Sequence, residues 1–285
     1  MVRYFGNRLN FLEKTIITTI IFAFLVLIVP VGFIKTDISI ISAILTATTV
    51  LFGILAGFFI AATLTNYFRL QSLISEETAG LIALRDKCKV IDPKIAKEVE
   101  DAIDNYLIAN FDYELIDFID NTWQEFNEIQ KLTEKIRRDT DVYSSLMDTR
   151  ENLLKNRQEI ALTTRQIIGI ESWIILTVLA LINAFLLFAI RDSSLISSIF
   201  TVLLSSATFL ILFLLYDIDS NLFAEEHIAY KIYHRVFKEI GKLPYYTETS
   251  IKSGRVRPPK GESYRIGKYE NFPKSLKKKI IIVKG

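Results

Sequence analysis

The sequence predicts an all-α integral membrane protein: four transmembrane helices in two hairpins, with a long helical cytosolic insert between them. Three observations predict it. Four stretches, 16–34, 38–65, 172–190 and 194–216, carry no charged residue. Each reaches the roughly 18–20 residues that cross a hydrocarbon core about 30 Å thick. The 285-residue chain is 51% hydrophobic, with a positive mean hydropathy, above the usual range for a soluble domain. Charge is confined to the segments between and around these stretches.

The elements follow in order. Residues 1–15 form a short N-terminus bearing Arg3, Arg8 and Lys14. Residues 16–66 are the first hairpin, with spans 16–34 and 38–65. Unbroken apolar runs mean helices, because only helices or closed barrels pair their backbone groups inside lipid. The first span is too long for a signal sequence and lacks a small-x-small site before Lys35.

Residues 67–170 are the insert. Residues 69–87 read as an extension of span two. Asp92-Pro93 starts a new helix, since Asp caps and Pro fits the first turn. Ile95, Val99, Ile103, Leu107, Leu115, Ile119, Phe126 and Ile129 then recur mostly at helical spacing, predicting one helix to about Arg137. A further helix, from about Asp141, is expected to continue through Leu153, Ile160 and Ile167 into span three. Residues 171–216 are the second hairpin, with spans 172–190 and 194–216. Residues 217–246 form a helix closed by Gly241 and Pro244. Residues 247–285 are a basic tail rich in Gly, Pro and Ser, with no assigned fold beyond a short strand or extended arm at its end.

Lys35 and Arg191 are the Lys/Arg residues between paired spans, and 29 of the 34 Lys and Arg follow span two or span four. The positive-inside rule, weighted on the N-terminus, Arg69, Arg165 and Lys231, puts both termini in the cytoplasm. Residues 70–169 hold 20 acidic and 13 basic side chains; residues 217–285 hold 15 basic and 8 acidic. The insert and tail can therefore dock on each other, or the tail can touch anionic lipid. Cys88 is the sole cysteine, which excludes an intrachain disulfide and a cysteine metal cluster.

On span two, Ser42, Thr46, Thr49, Gly53, Gly57, Ala61 and Thr65 make a stripe of small residues. Gly53 and Gly57 permit close approach of a second helix, the contact that drives association in lipid, so this is a helix-packing face. Val50, Ile54 and Phe58 line an adjacent face. Two readings are open: lipid or bundle contact, or a narrow apolar constriction that gates ions by dewetting. The second needs several copies around one axis.

Other polar features carry simpler readings. Asp217, Asp219 and Glu225, with Asn221 and Glu226, follow span four and could offer oxygens to calcium, but they lack an EF-hand pattern and equally cap helices. His227 and His234 are seven apart, not the three or four of helical metal ligands, so neither zinc nor another cofactor is expected. Asn183 inside span three needs a partner across helices. Ser197, Thr201, Ser205 and Thr208 make a polar stripe on span four whose hydroxyls can bond their own backbone. No charge lies within a span, and no phosphate loop, H-E-x-x-H or Ser/His/Asp set is evident. An enzyme is not expected, nor a nucleic-acid partner.

The stretch GFFIAATLTNYFRLQSLI, Gly57 to Ile74, resembles the second span of bestrophin anion channels, and the order of spans, insert and tail is similar too. Asn66-Tyr67 stands where those channels have Arg-Trp. The similarity extends to bestrophin-like membrane proteins of bacteria and plants, with an E-x-x-x-L-x-x-L helix matched by Glu77, Leu81 and Leu84. The resemblance implies a homopentamer in a bacterial cell membrane. It implies a central pathway for inorganic ions, mostly anions, with Val50, Ile54 and Phe58 as neck residues. Some eukaryotic relatives carry an acidic calcium clasp after span four. The alternative expectation is a non-conducting scaffold or sensor, binding a cytosolic partner through the helical insert and basic tail.

Overall fold

The computed structural model describes residues 11–34, 37–113, 117–136, 141–165, 167–220, 230–252, 256–271 and 274–285. The chain forms two compact units. The membrane unit comprises Arg8–Thr65 and Gln166–Ser220; the insert-and-tail unit comprises Met1–Asn7, Asn66–Arg165 and Asn221–Gly285.

The membrane unit holds α1 (Phe11–Ile28), the first part of α2 (Ile38–Ile91), α7 (Ile170–Ala189) and α8 (Leu195–Asp219). All four helices are long and apolar enough to cross a membrane. Helix α1 starts earlier than the uncharged run and ends before Pro30, which has no N–H to continue it. That missing donor would orphan the Val26 carbonyl. Arg191, from the α7–α8 turn, donates to Val26 O at 2.6 Å and Val29 O at 2.5 Å. Helix α1 packs on α8, and α8 on α7. Phe52 and Ala56 of α2 are buried with Leu176 and Ala180 of α7 and Leu212 and Leu215 of α8.

The insert-and-tail unit contains the rest of α2, then α3 (Pro93–Asn110), α4 (Phe118–Asn121), α5 (Trp123–Glu134), α6 (Tyr143–Thr163), α9 (Tyr230–Glu239) and α10 (Glu248–Lys252). Asp92 caps α3 as its spacing predicts, accepting from Lys94 N at 2.8 Å, with Pro93 in the first turn. The single helix expected from Asp92 to Arg137 is instead α3, α4 and α5. The break lets Phe111 insert among Tyr230, Tyr233 and Tyr245, with ring centroids 4.7, 5.4 and 5.6 Å away. It also returns α5 to pack on α3. Leu115 and residues 137–140 lie outside the described residues. Likewise, α6 stops at Thr163 and α7 begins at Ile170, so no continuous helix leads into span three. The Ile167 and Ile168 N–H groups there donate to Asp219 Oδ1 at 3.0 and 3.2 Å.

The tail is folded. β1 (Tyr245–Thr247), β2 (Tyr264–Tyr269) and β3 (Lys278–Val283) form one sheet in that order. β1 is parallel to β2, with Tyr246 opposite Ile266; β3 is antiparallel to β2, with Ile282 opposite Arg265. Gly241, at φ +71°, ends α9, and Lys242 N bonds back to Phe237 O at 2.7 Å, a left-handed glycine stop. One core joins Leu81 and Leu84 of α2, Ile103 and Leu107 of α3, Phe126 of α5 and Phe237 of α9. The chain is thus mostly helical, with a small sheet that takes in the region left unassigned from sequence and also Tyr245 and Tyr246, since the helix expected over 217–246 ends at Glu239.

Candidate functional site

Val50, Ile54 and Phe58 lie on the face of α2 turned away from its packed side. Positions two apart on a helix differ by about 200°, so burying Phe52 and Ala56 turns these three outward. They are 54%, 64% and 66% exposed. Phe58 meets the ring of Phe59, centroids 5.5 Å apart. Large apolar side chains at four-residue spacing form a smooth stripe, and α7 and α8 do not cover it.

The small-residue stripe borders open space at its two glycines. A Cβ added at Gly53 or Gly57 would meet nothing within 4 Å. Within this chain the two glycines pack against no helix and border open space. Asn183 does have the cross-helix partner expected: the Thr48 hydroxyl donates to its Oδ1 at 2.6 Å, and Thr49 stands at 3.4 Å. On α8, Thr201 and Thr208 bond their own backbone, at Ser197 O and Leu204 O. The Ser205 hydroxyl is buried without a hydrogen-bond partner among the described residues.

At the start of the insert, Glu77, Leu81 and Leu84 are all fully buried. Glu77 Oε1 accepts from Tyr106 Oη at 2.6 Å, and Tyr106 Oη accepts from Arg157 Nη1 at 2.6 Å. Arg157 also donates to Thr122 Oγ1 at 3.1 Å and to Ile119 O. Its guanidinium lies 4.6 Å from the Phe126 ring centroid, a cation–π contact. Burial drives the Glu77 carboxyl above its usual range, and the Arg157 charge opposes that rise.

The sequence over residues 15–221 matches the pattern of the bestrophin-like domain. The chain belongs to the bestrophin-like family. A solved structure described as the crystal structure of a membrane protein shares its fold, with a TM-score of 0.58 at 13% identity, covering 82% of this chain and 99% of that one. No curated protein matches the chain.

Within this bestrophin-like chain, Asn66 takes a structural part at the exit of span two. Its Nδ2 donates to Thr163 O, the end of α6, at 2.7 Å. Tyr67 packs against the core of the insert. The acidic residues after span four are engaged. Lys14 Nζ bonds both carboxylate oxygens of Asp217 at 2.6 Å, and Asp219 receives the two N–H groups before α7. Asn221, Glu225, Glu226 and His227 lie outside the described residues. Among the described residues no group of three His, Cys, Asp or Glu side chains could hold a metal. His234 bonds Tyr245 O through Nε2 at 2.9 Å, and its burial holds the imidazole below its ordinary pKa.

Sequence reasoning missed Arg157 and Tyr106. A signal existed: Glu77 shares the apolar face of Leu81 and Leu84, so a carboxylate at helical spacing on a buried face demands a cation. The partner's address, 80 residues on, is not local information.

Proposed function

We propose that the chain is one subunit of an oligomeric ion channel of bestrophin type, with span two lining a central pathway. Val50, Ile54 and Phe58 form its neck, a narrow apolar passage that gates by dewetting. The reading is a homopentamer conducting inorganic anions in a bacterial cell membrane, both termini cytoplasmic. The observation that carries it is the outward apolar stripe on α2, left bare while the opposite side is buried. Family membership supports the same reading. A non-enzymatic role accords with it.

The scaffold reading draws less support. The acidic insert and basic tail, which would recruit a partner, pair with each other at three points among the described residues. Arg265 bonds both Asp104 oxygens at 2.7 Å, Lys278 bonds Asp112 at 2.6 Å, and Lys242 bonds Asp101 at 2.5 Å.

The test is single-channel recording of the purified chain and Phe58→Ala in planar bilayers, with stoichiometry by native mass measurement. A smaller side chain at the neck should change unitary conductance. Equal conductance in the two proteins, conductance in neither, or a monomeric particle would each reject the proposal.

A further inference from the structure

The three-stranded sheet follows residue 221, past the stretch that matches the bestrophin-like pattern, and one of its edges is open. The edge strand β1 is buried at all three residues. The other edge strand, β3, is bare, and its bonding pattern fixes which backbone groups face outward. Glu270 N donates to Lys277 O at 3.0 Å, so that pair is a hydrogen-bonded one. Opposed residues in an antiparallel ladder alternate between hydrogen-bonded and non-hydrogen-bonded pairs. In the observed register Lys279, Ile281 and Val283 therefore bond to β2, and the N–H and C=O groups of Lys278, Ile280 and Ile282 point away from it. Among the described residues no backbone hydrogen bond meets those outward groups.

The side chains along this edge are sorted by face. Lys278 turns inward, where its Nζ bonds Asp112 at 2.6 Å. Ile280 and Ile282 share that face but run past the helices, 44% and 60% exposed. On the opposite face Lys279 stands directly across from Lys268. Both are exposed, and neither has a carboxylate partner among the described residues. Like charges directly opposite one another destabilise a ladder, so an anion beside them is favoured.

We propose that β3 receives an extended acidic segment of another protein as a fourth strand of the sheet. The segment is apolar beside Ile280 and Ile282 and carries Asp or Glu beside Lys279. A row of unpaired N–H and C=O groups is a template for one more strand, so the occupant must present extended backbone. Two exposed isoleucines at alternate positions match apolar side chains at the same spacing. The lysines set the charge of the remaining positions. A second copy of β3 would bring another Lys277, Lys278, Lys279 and Lys284 to the same edge, and like charges oppose that pairing. An acidic strand meets the same lysines with the opposite sign.

The probe is the fluorescein-labelled peptide EVEVTVE, added to the purified full-length chain in uncharged detergent micelles. The readout is binding by fluorescence anisotropy, so the result does not depend on conduction. Binding should saturate. Methylating two backbone nitrogens on the bonding edge of the peptide keeps its charge and should weaken binding about thirtyfold, the loss of two neutral hydrogen bonds. The uncharged peptide QVQVTVQ should bind the unmutated chain about fivefold less well, and Lys279→Glu should weaken the acidic peptide by about as much. Ile280→Pro removes one outward N–H, a change edge strands tolerate, and should weaken binding about tenfold or more. The methylated peptide on the unmutated chain decides the matter if Ile280→Pro fails to fold. Binding that rises linearly with peptide, equal binding of the methylated or the glutamine peptide, or no loss in a folded Ile280→Pro chain would overturn the proposal. So would Ile282→Cys chains, in a Cys88→Ser background, that cross-link to one another and exclude the peptide, since the occupant would then be a second copy.

Discussion

Replacing Arg157 with Met should open the insert-and-tail unit by roughly two to three and a half powers of ten. Arg157 is 2% exposed and serves Tyr106, Thr122 and Ile119 O, with Glu77 one hydroxyl away. Breaking one side of a buried charge pair costs about 3–5 kcal/mol, and each 1.4 kcal/mol is about tenfold in population. The reporter is native. Cys88 is the sole cysteine, is fully buried in the same core as Leu81 and Leu84, and has its thiol pushed up to about 11 by burial. A maleimide therefore reaches it only when the unit opens, and the labelling rate tracks the open population while reclosing is fast. The pH dependence has a sign. Burial raises the Glu77 pKa above its unfolded value, so its contribution is greatest while it is protonated and falls as pH rises through the folded value. Loss of Arg157 raises that pKa further, so R157M should suffer less at pH 5.5 than at pH 8, each rate normalised to denatured protein at the same pH. E77Q/R157M should open less than R157M alone. Wild-type labelling in R157M, or no rescue by E77Q, would refute the coupling.

Three further outcomes are expected. Arg191→Leu strands the Val26 and Val29 carbonyls and should cost about 3 kcal/mol or more from two charge-assisted bonds, with Arg191→Lys recovering part; Trp173 emission in a W123F background during detergent unfolding reads it. Gly267→Ala drives a Cβ into the buried Tyr245 hydroxyl and should destabilise by about 1–3 kcal/mol, lowering the thermal midpoint of Cys88 labelling, with partial recovery in Y245F. His234 is held neutral by burial; a base with a depressed folded pKa loses stability as pH falls below about 6.5. The thermal midpoint of Trp123 emission in a W173F background should therefore drop between pH 7 and pH 5, and His234→Gln should flatten that drop.

Legibility followed the range of the interaction. The four spans were visible because lipid imposes a rule on each run of twenty residues separately. The Asp92 cap and the Gly241 stop were visible because a helix end is settled by its nearest neighbours. The α3–α5 break was hidden: Asn110-Phe111-Asp112 carries neither Gly nor Pro, and the chain turns there so that Phe111 can reach tyrosines more than a hundred residues on. The β-sheet was hidden too. Its strands are short, and Tyr245–Thr247 pairs with Tyr264–Tyr269 only because α9 and α3 hold both in place.

The outward stripe on α2 was readable as a stripe, because residues four apart share a helical face whatever surrounds them. Which side of α2 would be buried was not. That choice falls to Phe52 and Ala56 finding α7 and α8. The same holds for charge: the acidic insert and basic tail were evident from counting, but Asp104 meeting Arg265 and Asp112 meeting Lys278 required the fold. Local sequence alone determined this protein's membrane segments and the helix ends at Asp92 and Gly241, since those depend on lipid and on hydrogen bonds within one turn. Tertiary structure alone decided which polar groups are paired and which, like the Ser205 hydroxyl, are left without a partner among the described residues, because pairing depends on distances that only the folded chain sets.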